Sequence, residues 1–275
     1  MTSLTHPDQP RRLPILSSAG DYLTQVFAVS DAEITKLRHD PMDLLSRAVQ
    51  PILWLLLFGQ VMAHVRGLSA VGGGSYLDFL APGILAQSVL FVAIFYGLSA
   101  IWERDLGVLH RYMVSPAPRS ALVIGKALAS SVRGISQAIV IYICSALLGV
   151  GLSLEPAHIA LVALFIVMAS ALFSTFSLII ACIVKTRERF MGVGQLLTMP
   201  IFFASNAIYP ISLMPPWLRA IARVNPLSYE VDALRGLMLS GGTSQFGLAL
   251  DLGALALALA LFVVIATRIY PRLTQ

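Results

Sequence analysis

Gly125 and Lys126 stand together as they do at the end of a phosphate-binding loop, the motif through which many proteins bind ATP. That motif also needs an earlier glycine, and a hydroxyl residue that follows the lysine and binds Mg²⁺. Ser120 and Ala127 occupy these two positions here. We therefore expect no nucleotide site and no bound cofactor in this chain, so energy for any transport has to come from another protein.

The other side chains that could do chemistry are too scattered for a catalytic or metal site. The histidines stand singly, without H-E-x-x-H or Ser-His-Asp spacing. Cys144 and Cys182 lie inside apolar runs without metal-ligand spacing, and we expect them to behave as small hydrophobic residues. We therefore predict that the chain is not an enzyme.

Carboxylates mark the ends of the apolar runs, whereas an ion-coupled carrier usually places them at mid-membrane. Ion-coupled transport is therefore the remoter alternative. These carboxylates are Asp78, Glu103, Asp105, Glu155, Glu188 and Asp251. Arg133 lies deeper, about 10 Å along a helix from Lys126. An arginine at that depth indicates a functional or paired site, and snorkelling to the interface is the alternative.

Long apolar runs must position all of these side chains. Of the 275 residues, 57% are hydrophobic and 12% are charged, and the mean hydropathy is +0.81. A helix needs about 20 apolar residues to cross a bilayer, and several runs reach that length. We predict an all-α polytopic membrane protein with one domain over residues 45–269 and six transmembrane helices. The predicted spans are residues 45–65, 79–102, 122–153, 157–184, 190–213 and 247–268.

Basic residues indicate the orientation, because most of them precede span one, separate spans two and three or four and five, or follow span six. The positive-inside rule then places both termini in the cytoplasm and accounts for the net charge of +5 without a nucleic-acid partner. Residues 1–20 are polar and Pro-rich, so we predict a disordered cytoplasmic leader, not a cleavable signal peptide. Residues 21–40 have the periodicity of an amphipathic helix at the cytoplasmic interface, or of a solvated helix packed on a partner.

Residues 102–119 form a compact charged island between spans two and three. The island is too long and too apolar for a bare membrane turn, which favours a docking element over the alternative of a solvated loop. The spacing of Leu106, Leu109 and Met113 predicts an apolar surface that packs against a partner protein. Charged side chains would form its polar rim. These rim residues are Glu103, Arg104, Asp105 and Arg111.

A second unusual region, residues 206–239, follows span five. Pro215-Pro216 favours the start of one helix, and Asn225-Pro226 ends it and starts another. Both helices are too short to span and too apolar for an open loop, so we predict an external re-entrant or interfacial hairpin. We expect an acidic residue to form a salt link with Arg235, and an external gate is the alternative. The hairpin residues concerned are Pro226, Tyr229, Glu230, Asp232 and Arg235.

No residue identifies the transported compound. Large aromatic side chains and an amide in spans two and five would suit an amphipathic cargo, and roles in lipid contact or helix packing are the alternative. The candidate pathway residues are Phe91, Phe95, Tyr96, Phe202, Phe203 and Asn206.

Four sets of residues occur in the order and spacing of a known protein family, and the similarity covers nearly the whole chain from about residue 30 onward. They are Gln50-Pro51 with Phe58-Gly59, residues 76–83, residues 103–109 with Ser115-Pro116, and residues 225–235. Together they resemble the membrane subunit of type-2 ABC exporters, the permease family that includes daunorubicin-resistance, polysaccharide and lipo-oligosaccharide export permeases.

This resemblance implies six membrane helices, an interfacial helix before the first and short external re-entrant helices after the fifth. It implies a dimer of permeases, formed with a second copy or a paralogue, in which each permease docks on a separate cytoplasmic ATPase that binds ATP and Mg²⁺. The implied cargo is a drug-like, antibiotic or lipid-like amphipathic compound that crosses a bacterial plasma membrane. The alternative cargo is a lipid-linked polysaccharide or lipo-oligosaccharide.

The family places its ATPase-coupling helix between spans two and three. The residues that the resemblance assigns to coupling are Glu103, Arg104, Asp105, Leu106, Gly107, Leu109, His110, Arg111, Met113 and Pro116. Many relatives carry two acidic residues near the early glycine of this helix, where the present chain has His110 and Arg111. The docking face is therefore expected to be more basic here.

Overall fold

The computed structural model of the chain describes residues 49–63, 75–106, 119–184 and 186–270, together with Asp31, Thr35 and Ser46. The predicted leader at residues 1–20 lies outside the described residues. Of the predicted interfacial helix at residues 21–40, Asp31 and Thr35 are described, and both are helical and exposed. That helix therefore stays a prediction.

The described part of the chain is a bundle of helices. In chain order they are α1 (residues 49–63), α2 (Tyr76–Tyr96), α3 (Leu98–Asp105), α4 (Arg119–Leu147), α5 (Pro156–Ile183), α6 (Arg187–Phe203), α7 (Pro216–Val224), α8 (Pro226–Met238) and α9 (Leu248–Ile269). A 3₁₀ turn at Ile211–Leu213 precedes α7. Part of α1 is wound as a π-helix, from Trp54 to Gly59.

The central helix of the bundle is α2, which is buried along nearly its whole length. It begins with a capping box, in which Asp78 Oδ2 accepts a hydrogen bond from Ser75 N at 2.8 Å and Ser75 Oγ accepts one from Leu77 N at 3.2 Å. The sequence carries no charge between Asp78 and Glu103, which permits burial on every side. The main neighbours of α2 are α4, α5 and α8, and it also contacts α1 and α6.

Small residues allow α4 and α5 to pack closely. Ser130 Oγ on α4 lies 2.8 Å from Ser174 Oγ on α5. One turn further along α4, a side chain at Gly134 would collide with Ser170. Contacts through glycine and hydroxyl residues are a common way for helices to associate in a membrane.

We name the two ends of the bundle the Asp105 end and the Asp78 end, each after a carboxylate that lies there. The Asp105 end contains the end of α3, the starts of α4 and α6, and the ends of α5 and α9, which share buried apolar side chains around Phe190 and Tyr270. The Asp78 end contains the start of α2, the 3₁₀ turn, α7, α8 and the start of α9. There, Asp78 Oδ1 accepts a hydrogen bond from Gly151 N at 3.1 Å.

The all-α polytopic architecture is confirmed for the part of the chain that the structure describes. In that part, four helices are long and apolar enough to cross a membrane, and they lie at four of the six predicted spans. They are Tyr76–Asp105 (α2 with α3), Leu122–Leu147, Pro156–Ile183 and Leu248–Ile269. The other two predicted spans contain α1 and the 17-residue α6, so the total of six stays a prediction.

Two predicted span ends differ from the ends of the described helices. The third span does not continue to residue 153, because α4 ends at Leu147 and Gly149 follows with a left-handed φ of 79°. The fifth does not continue to residue 213, because α6 ends at Phe203. Ser205 donates a hydrogen bond from its hydroxyl to the Phe202 carbonyl at 2.7 Å, a local bond that competes with continuation of the helix.

Both short helices predicted after span five are present. Pro216 and Pro226 each stand at the first position of their helix, α7 and α8 respectively. There the missing proline N–H leaves no helical hydrogen bond unmade. Asn225 Oδ1 caps α8 by accepting a hydrogen bond from Leu227 N at 3.0 Å.

Candidate functional site

A buried ion pair joins α3 to α4 at the Asp105 end. Lys126 Nζ lies 2.6 Å from Glu103 Oε2, and the two residues are 5% and 6% exposed. Either charge alone would be strongly unfavourable at this depth, because a buried ion without its partner keeps the full cost of leaving water. The pair therefore holds together the two helices that precede and follow residues 107–118.

Asp105 links the end of α3 to α6. Arg187 Nη2 lies 2.9 Å from Asp105 Oδ2, and the guanidinium carbon of Arg187 lies 4.0 Å from the centre of the Trp102 ring. Arg104 Nη2 contacts the other Asp105 oxygen at 3.1 Å. Exposed ion pairs are individually weak, but stacking on the indole fixes the position of Arg187.

The predicted coupling residues lie in two different environments. Glu103, expected at an exposed polar rim, is instead buried because Lys126 faces it from the mouth of α4. Arg104, Asp105 and Leu106 lie at the surface or close to it. The other predicted coupling residues lie outside the described residues; they are Gly107, Leu109, His110, Arg111, Met113 and Pro116.

The candidate pathway residues do not form a single site. Phe91 and Phe95, whose ring centres are 6.3 Å apart, line a cavity of about 210 Å³ beside α1. Phe203 is 42% exposed and lines a separate, open apolar groove of about 880 Å³ between the end of α6 and α7. Phe202 and Asn206 are buried at the same end of the bundle as this groove.

Tyr96, the remaining candidate pathway residue, contacts Arg133. The guanidinium carbon of Arg133 on α4 lies 5.4 Å from the centre of the buried Tyr96 ring at the end of α2. A cation over an aromatic face gains about 0.5–2 kcal/mol. Arg133 therefore has an aromatic partner inside the bundle, in agreement with the prediction of a paired arginine.

At the Asp78 end, α8 is buried on nearly every side although it carries charged residues. Asp232 Oδ2 accepts hydrogen bonds from Ser244 Oγ at 2.8 Å and from Phe246 N at 2.9 Å. Ser244 Oγ also lies 2.9 Å from Asp251 Oδ2 in the first turn of α9. Ser244 therefore links α8 to α9 through two carboxyl groups.

Arg235 turns away from the acidic residues of its own helix. Its Nη2 donates a hydrogen bond to Asn206 O at 2.9 Å, and its guanidinium carbon lies 3.9 Å from the centre of the Phe79 ring. Within the described part of the chain it forms no ion pair, so the predicted salt link with Glu230 or Asp232 is absent. The reason is that Asp232 is held by the loop before α9 while Arg235 reaches α2.

The remaining hairpin residues pack inside the Asp78 end. Both carboxyl oxygens of Glu230 are buried without a hydrogen-bond partner among the described residues, and this burial raises the pKa of Glu230 well above its usual value. Tyr229 donates a hydrogen bond from its hydroxyl to Arg223 O at 2.6 Å, and its ring centre lies 5.1 Å from that of Phe246. Pro226 begins α8.

A known protein family matches residues 24–239, a range that contains every helix from α1 to α8. Its description is "ABC-2 type transporter". The chain belongs to the ABC-2 type transporter family. The resemblance to type-2 ABC export permeases is therefore confirmed.

Three relatives show how far this ABC-2 chain resembles known permeases. The putative transport permease ycf38 of Cyanophora paradoxa is 29% identical over 78% of this chain and 74% of the relative. The daunorubicin resistance ABC transporter permease protein DrrB1 of Streptomyces coeruleorubidus is 27% identical over 94% of this chain and 92% of its own. The probable doxorubicin resistance ABC transporter permease protein DrrC of Mycobacterium tuberculosis is 24% identical over 84% and 83%, respectively.

Sequence reasoning missed several contacts of the ABC-2 permease. Lys126 pairs with Glu103 across 23 residues, and Arg187 reaches Asp105 across 82 residues. Helical spacing cannot indicate such contacts, because it relates residues of one helix. For Lys126 the sequence offered one indication. This lysine was expected at the membrane interface, on the same side as Glu103 at the end of the preceding predicted span. For Ser244 the sequence offers no signal.

Proposed function

We propose that this ABC-2 permease is the membrane subunit of an ATP-driven exporter that works as a dimer on a separate cytoplasmic ATPase carrying ATP and Mg²⁺. Its cargo is a drug-like, antibiotic or lipid-like amphipathic compound. The observation that carries the proposal is the set of contacts at the Asp105 end, which join α3 to α4 and α6 directly beside residues 107–118.

In this proposal, residues 107–118 dock on the ATPase. The buried pair of Glu103 and Lys126 holds the helices on either side of that segment, so a force on the segment moves α3 and α4 together instead of opening the angle between them. Arg187 on Trp102 adds α6 to the same unit. The apolar part of the docking surface consists of Leu106, Leu109 and Met113.

The charge distribution supports a cytoplasmic Asp105 end, in what we propose is a bacterial plasma membrane. Lys and Arg accumulate on the cytoplasmic side of membrane proteins. The basic residues at the Asp105 end include Arg104, Lys126, Arg187, Arg189 and Arg268. We therefore place both termini in the cytoplasm and the hairpin of α7 and α8 on the external side.

Two apolar spaces suit the path of an amphipathic compound. The cavity lined by Phe91 and Phe95 lies in the half of α2 nearer the Asp105 end, where cargo would enter from the cytoplasmic side. The groove at Phe203 lies at the opposite end, where cargo would leave. Relatives named for daunorubicin and doxorubicin resistance support a drug-like cargo.

The exposed apolar surfaces of α1 and α9 would contact lipid and the second permease copy or a paralogue. Leu57 and Val61 on α1 are exposed, as are Leu257 and Leu261 on α9. Such surfaces would be unstable in water but are stable against acyl chains or another apolar helix.

Reconstitution tests the proposed function. Proteoliposomes would contain the chain and an ABC ATPase that co-purifies with it, with doxorubicin as the probe. We expect doxorubicin transport that requires ATP and Mg²⁺. Transport driven by a proton gradient without ATP would contradict the proposal and favour an ion-coupled carrier. ATP-driven movement of a lipid-linked oligosaccharide without doxorubicin transport would instead favour the glycan exporter.

A matched pair of variants tests the docking surface. Leu106→Asp places a charge on the exposed leucine at the end of α3, and Leu213→Asp does the same at an exposed leucine of the Asp78 end. We expect Leu106→Asp alone to reduce co-purification of the ATPase and ATP-dependent transport. Equal effects of the two variants would contradict a specific docking role.

A further inference from the structure

A cavity of about 390 Å³ lies at the Asp78 end, between the start of α2, the 3₁₀ turn and the loop that follows α8. It falls within the size range of small-molecule sites, about 300–1,000 Å³. Its walls include one cation, Arg235, and one carboxylate, Asp78. Polar side chains from separate segments complete them: Ser212, Thr243 and Gln245.

Arg235 is the unusual part of this wall. It is 8% exposed, and its Nε and Nη1 atoms are buried without a hydrogen-bond acceptor among the described residues. The Asn206 carbonyl and the Phe79 ring contact the guanidinium group, but neither carries a negative charge. Burial lowers the pKa of Arg235 to about 10, although the charge of Asp232 acts in the opposite direction, so the side chain stays cationic at neutral pH.

The nearby carboxylates are engaged elsewhere. Asp78 Oδ2 accepts a hydrogen bond from Ser75 N and Asp78 Oδ1 accepts one from Gly151 N, so this carboxylate is held at the start of α2. Asp232 accepts hydrogen bonds from Ser244 and Phe246. The charge of Asp232 still acts on Arg235, but among the described residues no carboxylate oxygen forms an ion pair with the guanidinium, and a buried cation in the wall of a cavity favours binding of an anion there.

We propose that this cavity binds the phosphate group of an anionic ligand, with Arg235 as its counter-ion and Ser212, Thr243 and Gln245 as further hydrogen-bond donors. A phosphate fits better than a carboxylate because its oxygens point in tetrahedral directions and can reach donors on several walls. Arginine suits this chemistry because it presents its donors in a planar, permanently charged group.

A phosphate group could arrive as free phosphate or on the headgroup of a lipid. The same cation would recognise both, and the two sources differ in whether an acyl chain contributes to binding. Because the binding can be measured on the permease alone, without the ATPase and without transport, its failure is distinguishable from failure of the proposed export function.

Calorimetric titration of the purified full chain in detergent tests the proposal. The three probes are inorganic phosphate, a short-chain phosphatidylglycerol and the diacylglycerol with the same chains but no phosphate. Binding of inorganic phosphate would support a site for the free anion. Binding of phosphatidylglycerol alone would support a lipid-headgroup site. Binding of neither phosphate-bearing probe, or equal binding of diacylglycerol and phosphatidylglycerol, would overturn the proposal.

Two variants and one control connect binding to this cavity. Arg235→Gln should abolish phosphate binding, but it also removes the hydrogen bond to Asn206. Gln245→Glu avoids that difficulty, because Gln245 is exposed and the replacement has the same shape. Its new carboxylate should weaken phosphate binding at least about tenfold by repulsion across the cavity.

The control is Arg223→Gln, which removes one positive charge from an exposed position on α7 that does not line the cavity. It should bind phosphate as tightly as the unmodified chain. Unchanged affinity in Gln245→Glu, or an equal loss in Arg223→Gln, would show that binding occurs elsewhere and would overturn the proposal.

Discussion

Lys126 Nζ lies 2.6 Å from Glu103 Oε2, although each side chain is less than one-tenth exposed. Removal of either residue deprives the other of its charged contact, and loss of one partner of a buried ion pair typically costs about 3–5 kcal/mol. We therefore expect Glu103→Gln and Lys126→Met each to lower the thermostability of the purified chain strongly. The double variant should recover much of the loss, because no unpaired charge remains.

Thermostability in detergent, followed by size-exclusion chromatography after heating, measures this effect. Glu188→Gln, at an exposed carboxylate near the start of α6, is the control. If both single variants are as stable as this control, the pair does not hold α3 to α4. If the double variant is as unstable as the single variants, the loss does not come from an unpaired charge.

We expect Arg187 to contribute more to the coupling between the ATPase and the permease than to the stability of the fold. Its contacts with Asp105 and Trp102 lie at the surface, where ion pairs and contacts between a cation and an aromatic ring are individually weak. We expect Arg187→Ala to change stability only slightly, while ATP-dependent transport falls because α6 no longer moves with α3. Arg189→Ala, two positions further along α6, is the control.

Transport and ATP hydrolysis measured together decide this prediction. Loss of transport with hydrolysis retained is the expected result for Arg187→Ala, because the ATPase still turns over while the permease follows it less well. Equal transport in Arg187→Ala and Arg189→Ala would contradict the role of the contact with Trp102.

Four of the six predicted spans coincide with described helices that are long and apolar enough to cross a membrane, whereas the ends of the helices were not predictable. Burial in a bilayer depends on composition over about 20 residues, and such averages are visible in a sequence. The end of α4 depends on the left-handed backbone at Gly149, and the end of α6 coincides with one hydroxyl bond at Ser205. Single-residue conformations of this kind leave little trace in composition.

Contacts between different helices were also not predictable from the sequence, as Arg235 and Glu103 show. Arg235 stands at helical spacing from Asp232, so a salt link within α8 was the expectation from local rules. The side chain instead contacts Phe79, 156 residues away, because α8 packs directly on α2. Glu103 was expected at the surface for a related reason, since its burial depends on Lys126 from another helix. Local spacing predicts contacts within a helix and is silent about contacts between helices.

Gly97 should be intolerant of a side chain. It joins α2 to α3 where α5 crosses, and a Cβ there would overlap Ser177 Oγ and lie 2.9 Å from the Ser177 carbonyl carbon. Because backbone cannot move aside as a flexible side chain can, we expect Gly97→Ala to destabilise the chain by about 1–3 kcal/mol. Gly192→Ala is the matched control, since nothing lies within 4 Å of a Cβ at that helical position.

Thermal unfolding of these two glycine variants provides the test. Gly192→Ala should be neutral or stabilising by up to about 1 kcal/mol, because alanine favours a helix more than glycine does. Stability of Gly97→Ala equal to that of Gly192→Ala would show that α5 does not approach Gly97 closely.

Glu230 should make stability depend on pH. Burial raises the pKa of Glu230 in the folded chain, so the folded chain holds a proton that the unfolded chain releases above about pH 4.3. The stabilising contribution of protonated Glu230 is therefore complete at acid pH, and it is lost as the pH rises towards the pKa of Glu230 in the folded chain. Glu230→Gln keeps the shape and has no proton to lose. We expect it to match the unmodified chain near about pH 4 and to exceed its thermostability at about pH 8.

Glu155→Gln, an exposed carboxylate at the same end of the bundle, is the control for this pH profile. Its melting temperature should follow that of the unmodified chain at every pH, because its carboxylate is largely exposed to solvent. Coincidence of the Glu230→Gln profile with both others would contradict a buried, protonated Glu230. A gap that widens with pH for Glu230→Gln alone would instead place the titrating group inside α8.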